Sequence, residues 1–218
     1  MKKILIAIIV ILVAGIGIWY VTSMDKNNND SSGPVAVVNG DEISRAEFEE
    51  AENQFAAQQG TSTDSLDKET REQIKTNIID SLISQKLLNQ AVESSEIVIE
   101  SEQIDAQMEI FRSQFENDEM FQEALRTQSL TEESLRSKVT IELTTEAYFN
   151  EKLNLSSVTV SEDEINTAYE EISATQEVPA LEEVREEVRQ FVLGQKKREL
   201  IFAHIAELRS AADIEILI

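Results

Sequence analysis

The chain has 218 residues, with 19 Lys and Arg against 42 Asp and Glu, a formal charge of −23, and no cysteine. A surface this acidic repels phosphate backbones, so nucleic acid is excluded as a partner, while basic polypeptide segments are attracted. Without cysteine, disulfides, thiol catalysis, Cys-based metal sites and lipid attachment at a cysteine are all excluded.

Lys2 and Lys3 precede Ile4 to Thr22, a run without charge. A helix of about 20 apolar residues spans a bilayer, and a secretory apolar region is about 7–15. Trp19 and Tyr20 stand at the far end, where interfacial aromatics belong. Residues 1–23 are therefore read as an N-terminal transmembrane anchor with a cytoplasmic N-terminus and an extracytoplasmic body. Val21-Thr22-Ser23 also offers small residues to a signal peptidase, and cleavage there would give a secreted protein. Residues 24–34 form a polar linker, and 35–218 form the folded body.

Beyond Pro34 only Gly40, Gly60, Gly194 and Pro179 punctuate the chain, so long helices are the natural reading. Val35 to Val38 is a short strand, Asn39-Gly40 a tight hairpin turn and Glu42-Ile43 the start of the return strand. Ser44 with Glu47 makes a capping box that opens a first helix to about Gln59. Gly60 to Thr63 is a break. A long second helix, about Asp67 to Ser94, carries a broad apolar face from Ile74 to Ala91, wide enough for more than one neighbour.

Further helices follow over about Ser101 to Asn117, Glu119 to Thr127 and Thr131 to Leu153. Val158 to Val160 is an extended link. Ser161 with Glu164 repeats the capping box and opens a sixth helix, with a loop from Ser173 to Val178. The last helix, about Ala180 to Ser210, has an apolar seam that includes Val188, Phe191, Val192 and Phe202, with Gly194 as a kink or a point of close packing. Asp213 to Ile218 is a terminal strand whose best partner is Val35 to Val38. That pairing joins the two ends of the body and folds the last helix back onto the first. The fold class is mainly α, a multi-helix lobe with short N- and C-terminal strands.

These blocks, NGDEISRAEF, IIDSLISQKLLNQAVESSEIVIESEQI, SLTEESLRSKVTIELTTEAYF, VTVSEDEINTAYEE and LEEVREEVRQFVLGQKKRELIFAHIAELRSAADIEIL, resemble in order and spacing the SurA-like and PrsA-like family of extracytoplasmic folding chaperones. Members with prolyl isomerase activity carry a parvulin domain between the last two blocks; here Glu171 to Ala180 joins them directly. The resemblance implies a helical cradle that holds unfolded or newly translocated polypeptides without ATP, without a cofactor and without isomerase activity. The alternative is an envelope adaptor with one dedicated partner.

Other chemistry has little support. His204, the only histidine, has no serine or cysteine partner in a nucleophile motif, and reads as structural. The carboxylate runs fall on solvated helix faces rather than in a two-acid cleft, and no calcium-loop spacing occurs. No catalytic residue, cofactor site or metal site is expected. Met108, Phe111, Phe115, Met120 and Phe121 cluster in one stretch. If exposed, this flexible apolar group is the candidate client-binding patch; the alternative is an ordinary core face.

Overall fold

The computed structural model describes residues 33–59, 66–128 and 130–218. The anchor assigned to 1–23, most of the 24–34 linker and the Gly60 to Thr63 break lie outside the described residues. Among the described residues no helix is long and apolar enough to cross a membrane.

Strands β1 (Ala36–Val38), β2 (Asp41–Ile43) and β3 (Ile214–Ile216) form an antiparallel sheet in the order β2-β1-β3. Ala36 lies opposite Ile43 on one side and Ile216 on the other. The hairpin turn forms because Asn39 and Gly40 adopt φ of 52° and 89°, a region these two residue types enter at little cost. The terminal strand pairs with β1 as the sequence implies. Its regular part is shorter than expected, although the Leu217 N–H still donates to the Val35 carbonyl at 2.9 Å. Asn39 fastens the other end: its N–H donates to the Asp213 carbonyl at 2.8 Å, and its Oδ1 accepts from the Asp213 N–H at 2.9 Å.

Seven α-helices follow among the described residues: α1 (Arg45–Gln59), α2 (Lys68–Glu93), α3 (Ser101–Ser113), α4 (Asp118–Thr127), α5 (Glu132–Leu153), α6 (Glu162–Thr175) and α7 (Leu181–Ala211). Several of their starts are set by side chains that satisfy otherwise orphaned backbone donors, whereas α7 follows Ala180 with no side-chain cap. Before α1, the Ser44 N–H donates to Glu47 Oε2 at 2.6 Å and the Glu47 N–H returns to Ser44 Oγ at 3.2 Å. Before α2, Asp67 accepts from the Thr70 N–H at 3.0 Å, which with the Thr70 hydroxyl holds its carboxyl below the usual range.

Two boundaries differ from the sequence reading. Asn117 accepts from the Met120 N–H at 2.9 Å and so caps α4 instead of ending α3, which stops at Ser113. Helix α6 runs through Ser173 to Thr175, and the Tyr169 hydroxyl closes the following loop by donating to the Pro179 carbonyl at 2.9 Å.

Residues 35–218, read from sequence as one lobe, divide into two compact units. Val98–Thr145 makes one. Its core is Ile104, Met108, Phe121, Leu125, Leu135 and Val139. Arg112 binds this unit together from the rim: its guanidinium meets Asp118 at 3.2 Å and Glu132 at 2.5 Å and lies 5.3 Å from the centre of the Phe121 ring.

Pro34–Ile97 and Glu146–Ile218 make the other. There the sheet packs on α2 through Val35, Ala36, Val38 and Ile43 against Ile78, Ile79, Ile83 and Leu87, with Phe48 of α1 in the same cluster. Gln90 of α2 clasps the hairpin, donating to the Val38 carbonyl at 3.0 Å and to Asp41 Oδ2 at 2.6 Å. Helix α7 packs along α6 and α2, with Arg209 on Asp80 at 2.6 Å. The expectation that α7 folds back mainly onto α1 is corrected: α2 packs against both α1 and α7, which is what its wide apolar face serves. Helix α7 continues unbroken through Gly194, and an added Cβ there would meet only the tip of the Arg198 side chain at 3.4 Å. Close packing therefore does not account for the glycine.

Candidate polypeptide-binding site

Four of the five residues singled out in sequence are brought together in or against one core. Met108 and Phe121 are buried, and Phe111 and Phe115 pack half-buried against the same cluster. Phe115 and Phe121 stack edge to face at 5.5 Å. Only Met120 is exposed, at 47%. The reason is helical phase: Met108 shares the inward stripe of α3 with Ile104 and Phe111, and Phe121 lies between the Arg112 guanidinium and the core. Burial thus follows the alternative reading of an ordinary core face for Met108 and Phe121, with Phe111 and Phe115 half-buried at its edge and Met120 in solvent.

The apolar surface left in solvent on the larger unit lies elsewhere. Phe191 is 47% and Phe202 66% exposed, both on α7. They are separated by three helical turns, so they share one face about 16 Å apart. The sequence reading placed both in the apolar seam of the last helix. The structure shows why one seam does not describe all 31 residues: α7 packs on both α6 and α2.

Phe191 stands at a groove between α6 and α7. The two helices are locked beside it by buried Ile165 and Val188 and by an ionic lattice. Glu162 pairs with Arg185 and, at 2.9 Å, with Arg189. Lys196 donates to Glu164 Oε1 at 2.6 Å and to the Thr159 carbonyl at 2.8 Å. The Lys196 ammonium, helped by the Ser161 N–H and hydroxyl, holds the Glu164 carboxyl down to about 2. The groove between these helices encloses about 590 Å³. Ala168, Ile172, Phe191 and Val192 supply its apolar lining; Asp163, Glu171 and Glu199 stand on its exposed rim.

A second cleft, of about 500 Å³, lies between the hairpin, α2 and the end of α7, lined by Asn39, Leu87, Gln90, Tyr148, Leu208 and their neighbours. Beside it the Tyr148 hydroxyl and His204 Nε2 share a hydrogen bond of 2.8 Å, and burial pushes the Tyr148 phenol up from its ordinary value. The lone histidine is thus tied to a phenol across two helices, and no group of acids and histidines among the described residues is placed to hold a metal ion.

These features define a helical lobe closed by a small sheet that joins its ends, with aromatic side chains left in solvent along the last helix. No domain is inserted between α6 and α7, which are joined by residues 176–180 alone. A family model for the SurA-like N-terminal domain matches residues 1–149, and the chain belongs to that family. The fold is also that of a solved structure described with the virulence factor PEB4 and the periplasmic protein Cj1289, two structurally related SurA-like chaperones of the human pathogen Campylobacter jejuni. That likeness covers 85% of this chain and 99% of the other with a TM-score of 0.57 at 13% identity, a similarity of fold. Among curated proteins, none matches the sequence significantly.

Proposed function

We propose that this protein is an extracytoplasmic, ATP-independent chaperone of the holdase type. It binds unfolded or newly translocated polypeptides and has no prolyl isomerase activity. Residues 1–23 tether it to the membrane, with the body outside the cytoplasm. Membership of the SurA-like family supports the chaperone role. The observation that carries the binding mode is the pair of solvent-exposed phenylalanines, Phe191 and Phe202, on one face of α7. Large apolar side chains kept in water on a rigid helix are what a chain with exposed hydrophobic segments would cover. Binding the unfolded chain lowers its free concentration and so slows aggregation, with no nucleotide needed.

Light scattering of several unrelated, chemically unfolded clients diluted with and without this protein tests the reading. Suppression of most of them near stoichiometric ratio, without ATP, is the expected result. A folded protein that suppresses none overturns it, and tight binding of a single folded partner would then make it an envelope adaptor.

A further inference from the structure

We propose that the α6–α7 groove selects its clients: it takes short apolar segments flanked by lysine or arginine. This rests on the holdase reading and adds a chemical class of ligand to it. The lining is apolar where Ala168, Ile172, Phe191 and Val192 meet, and Phe191 remains half in solvent although it stands at a groove of about 590 Å³. Around that floor the charged side chains are predominantly acidic. Four carboxylates and one ammonium line the groove, an excess of three negative charges.

The single ammonium does not neutralise the rim. Lys196 is committed to Glu164 at 2.6 Å and to the Thr159 carbonyl at 2.8 Å. Glu162, just outside, is likewise committed to Arg185 and Arg189. Asp163, Glu171 and Glu199 have no cationic partner among the described residues. The carboxylates are thus sorted: Glu162 and Glu164, which hold the helices together, are paired, and the three on the groove's rim are left for a ligand. An apolar segment entering the floor brings its flanks to these three charges. A lysine or arginine flank gains attraction, and an acidic flank meets repulsion.

The test uses the full chain and fluorescence anisotropy of labelled peptides sharing one apolar core, flanked by Lys, by Ser or by Glu. The Lys-flanked peptide is expected to bind about tenfold more tightly than the Glu-flanked one at low salt, with the gap narrowing as salt is added. The triple variant Asp163→Asn, Glu171→Gln, Glu199→Gln should bring the two within about twofold, and Phe191→Ala should weaken all three peptides. Because the whole chain is acidic, a control variant neutralises three exposed acids on the other unit (Glu102, Glu116 and Glu119) and should leave the preference intact.

If the control removes the preference as fully as the triple variant does, the selectivity belongs to the general field and the groove assignment is overturned. Equal binding of all three peptides by a protein that still suppresses aggregation overturns the groove but not the holdase. No peptide binding together with no suppression overturns both.

Discussion

Ile83 is the sharpest test of how the larger unit is held together. It is fully buried at the centre of the cluster through which α2 supports the sheet. Ile83→Ala removes three carbons from that site. At about 0.8 kcal/mol per buried carbon, the transfer term alone is about 2.4 kcal/mol. Incomplete collapse of the cavity adds to this, giving an expected loss of about 3 kcal/mol. Ile83→Val removes one carbon and should cost about 1 kcal/mol.

Urea unfolding followed by circular dichroism measures the total. Hydrogen exchange read by mass spectrometry locates it, because β1 and α2 amides should lose protection on the order of 100-fold in the alanine variant. An alanine variant within about 0.5 kcal/mol of the parent, with unchanged protection in β1 and α2, would refute the packing argument.

Two further outcomes follow from α6 and α7. Gly194→Ala should raise stability by up to about 1 kcal/mol, since the added methyl meets only a movable arginine tip; a lower melting temperature would show that the helix needs the glycine. Glu164, held down to about 2 from an ordinary value of 4.5, is favoured ionised in the fold, so its contribution is complete above about pH 4.5 and is lost as the pH falls towards 2. Glu164→Gln should therefore melt below the parent at neutral pH, with the gap closing in acid; a gap independent of pH would contradict the Lys196 pairing.

What was legible in sequence was local. The Asn39-Gly40 turn and the Ser44–Glu47 and Ser161–Glu164 boxes depend on residues within four positions of one another, and each formed. The β1–β3 pairing was legible because the chain offers so few other extended apolar segments. The cap at Asn117 was harder, since apolar periodicity runs on through Phe115 and hides the end of α3.

The candidate site was least legible. Hydrophobicity marks Met108 and Phe121 as strongly as Phe191 and Phe202, yet the first pair is core and the second is in solvent. That difference is set by which helices pack on each face, information that no single segment contains. The sorting of paired from unpaired carboxylates is equally non-local: Glu162 meets arginines 23 and 27 positions away.

The central position of β1 has a bearing on the order in which the molecule is completed. Its hairpin partner follows at once, but its other neighbour, β3, lies more than 170 residues further along the chain. As the polypeptide emerges, β1 therefore waits with one edge unsatisfied until residues 214–216 arrive, a closure with a high loop-entropy barrier. The core built from Ile104, Met108, Phe121, Leu125, Leu135 and Val139 draws on neighbouring segments of the chain and faces no such delay. During its own biogenesis this protein passes through a stage with an open strand edge and a half-built core, the condition in which other chains aggregate.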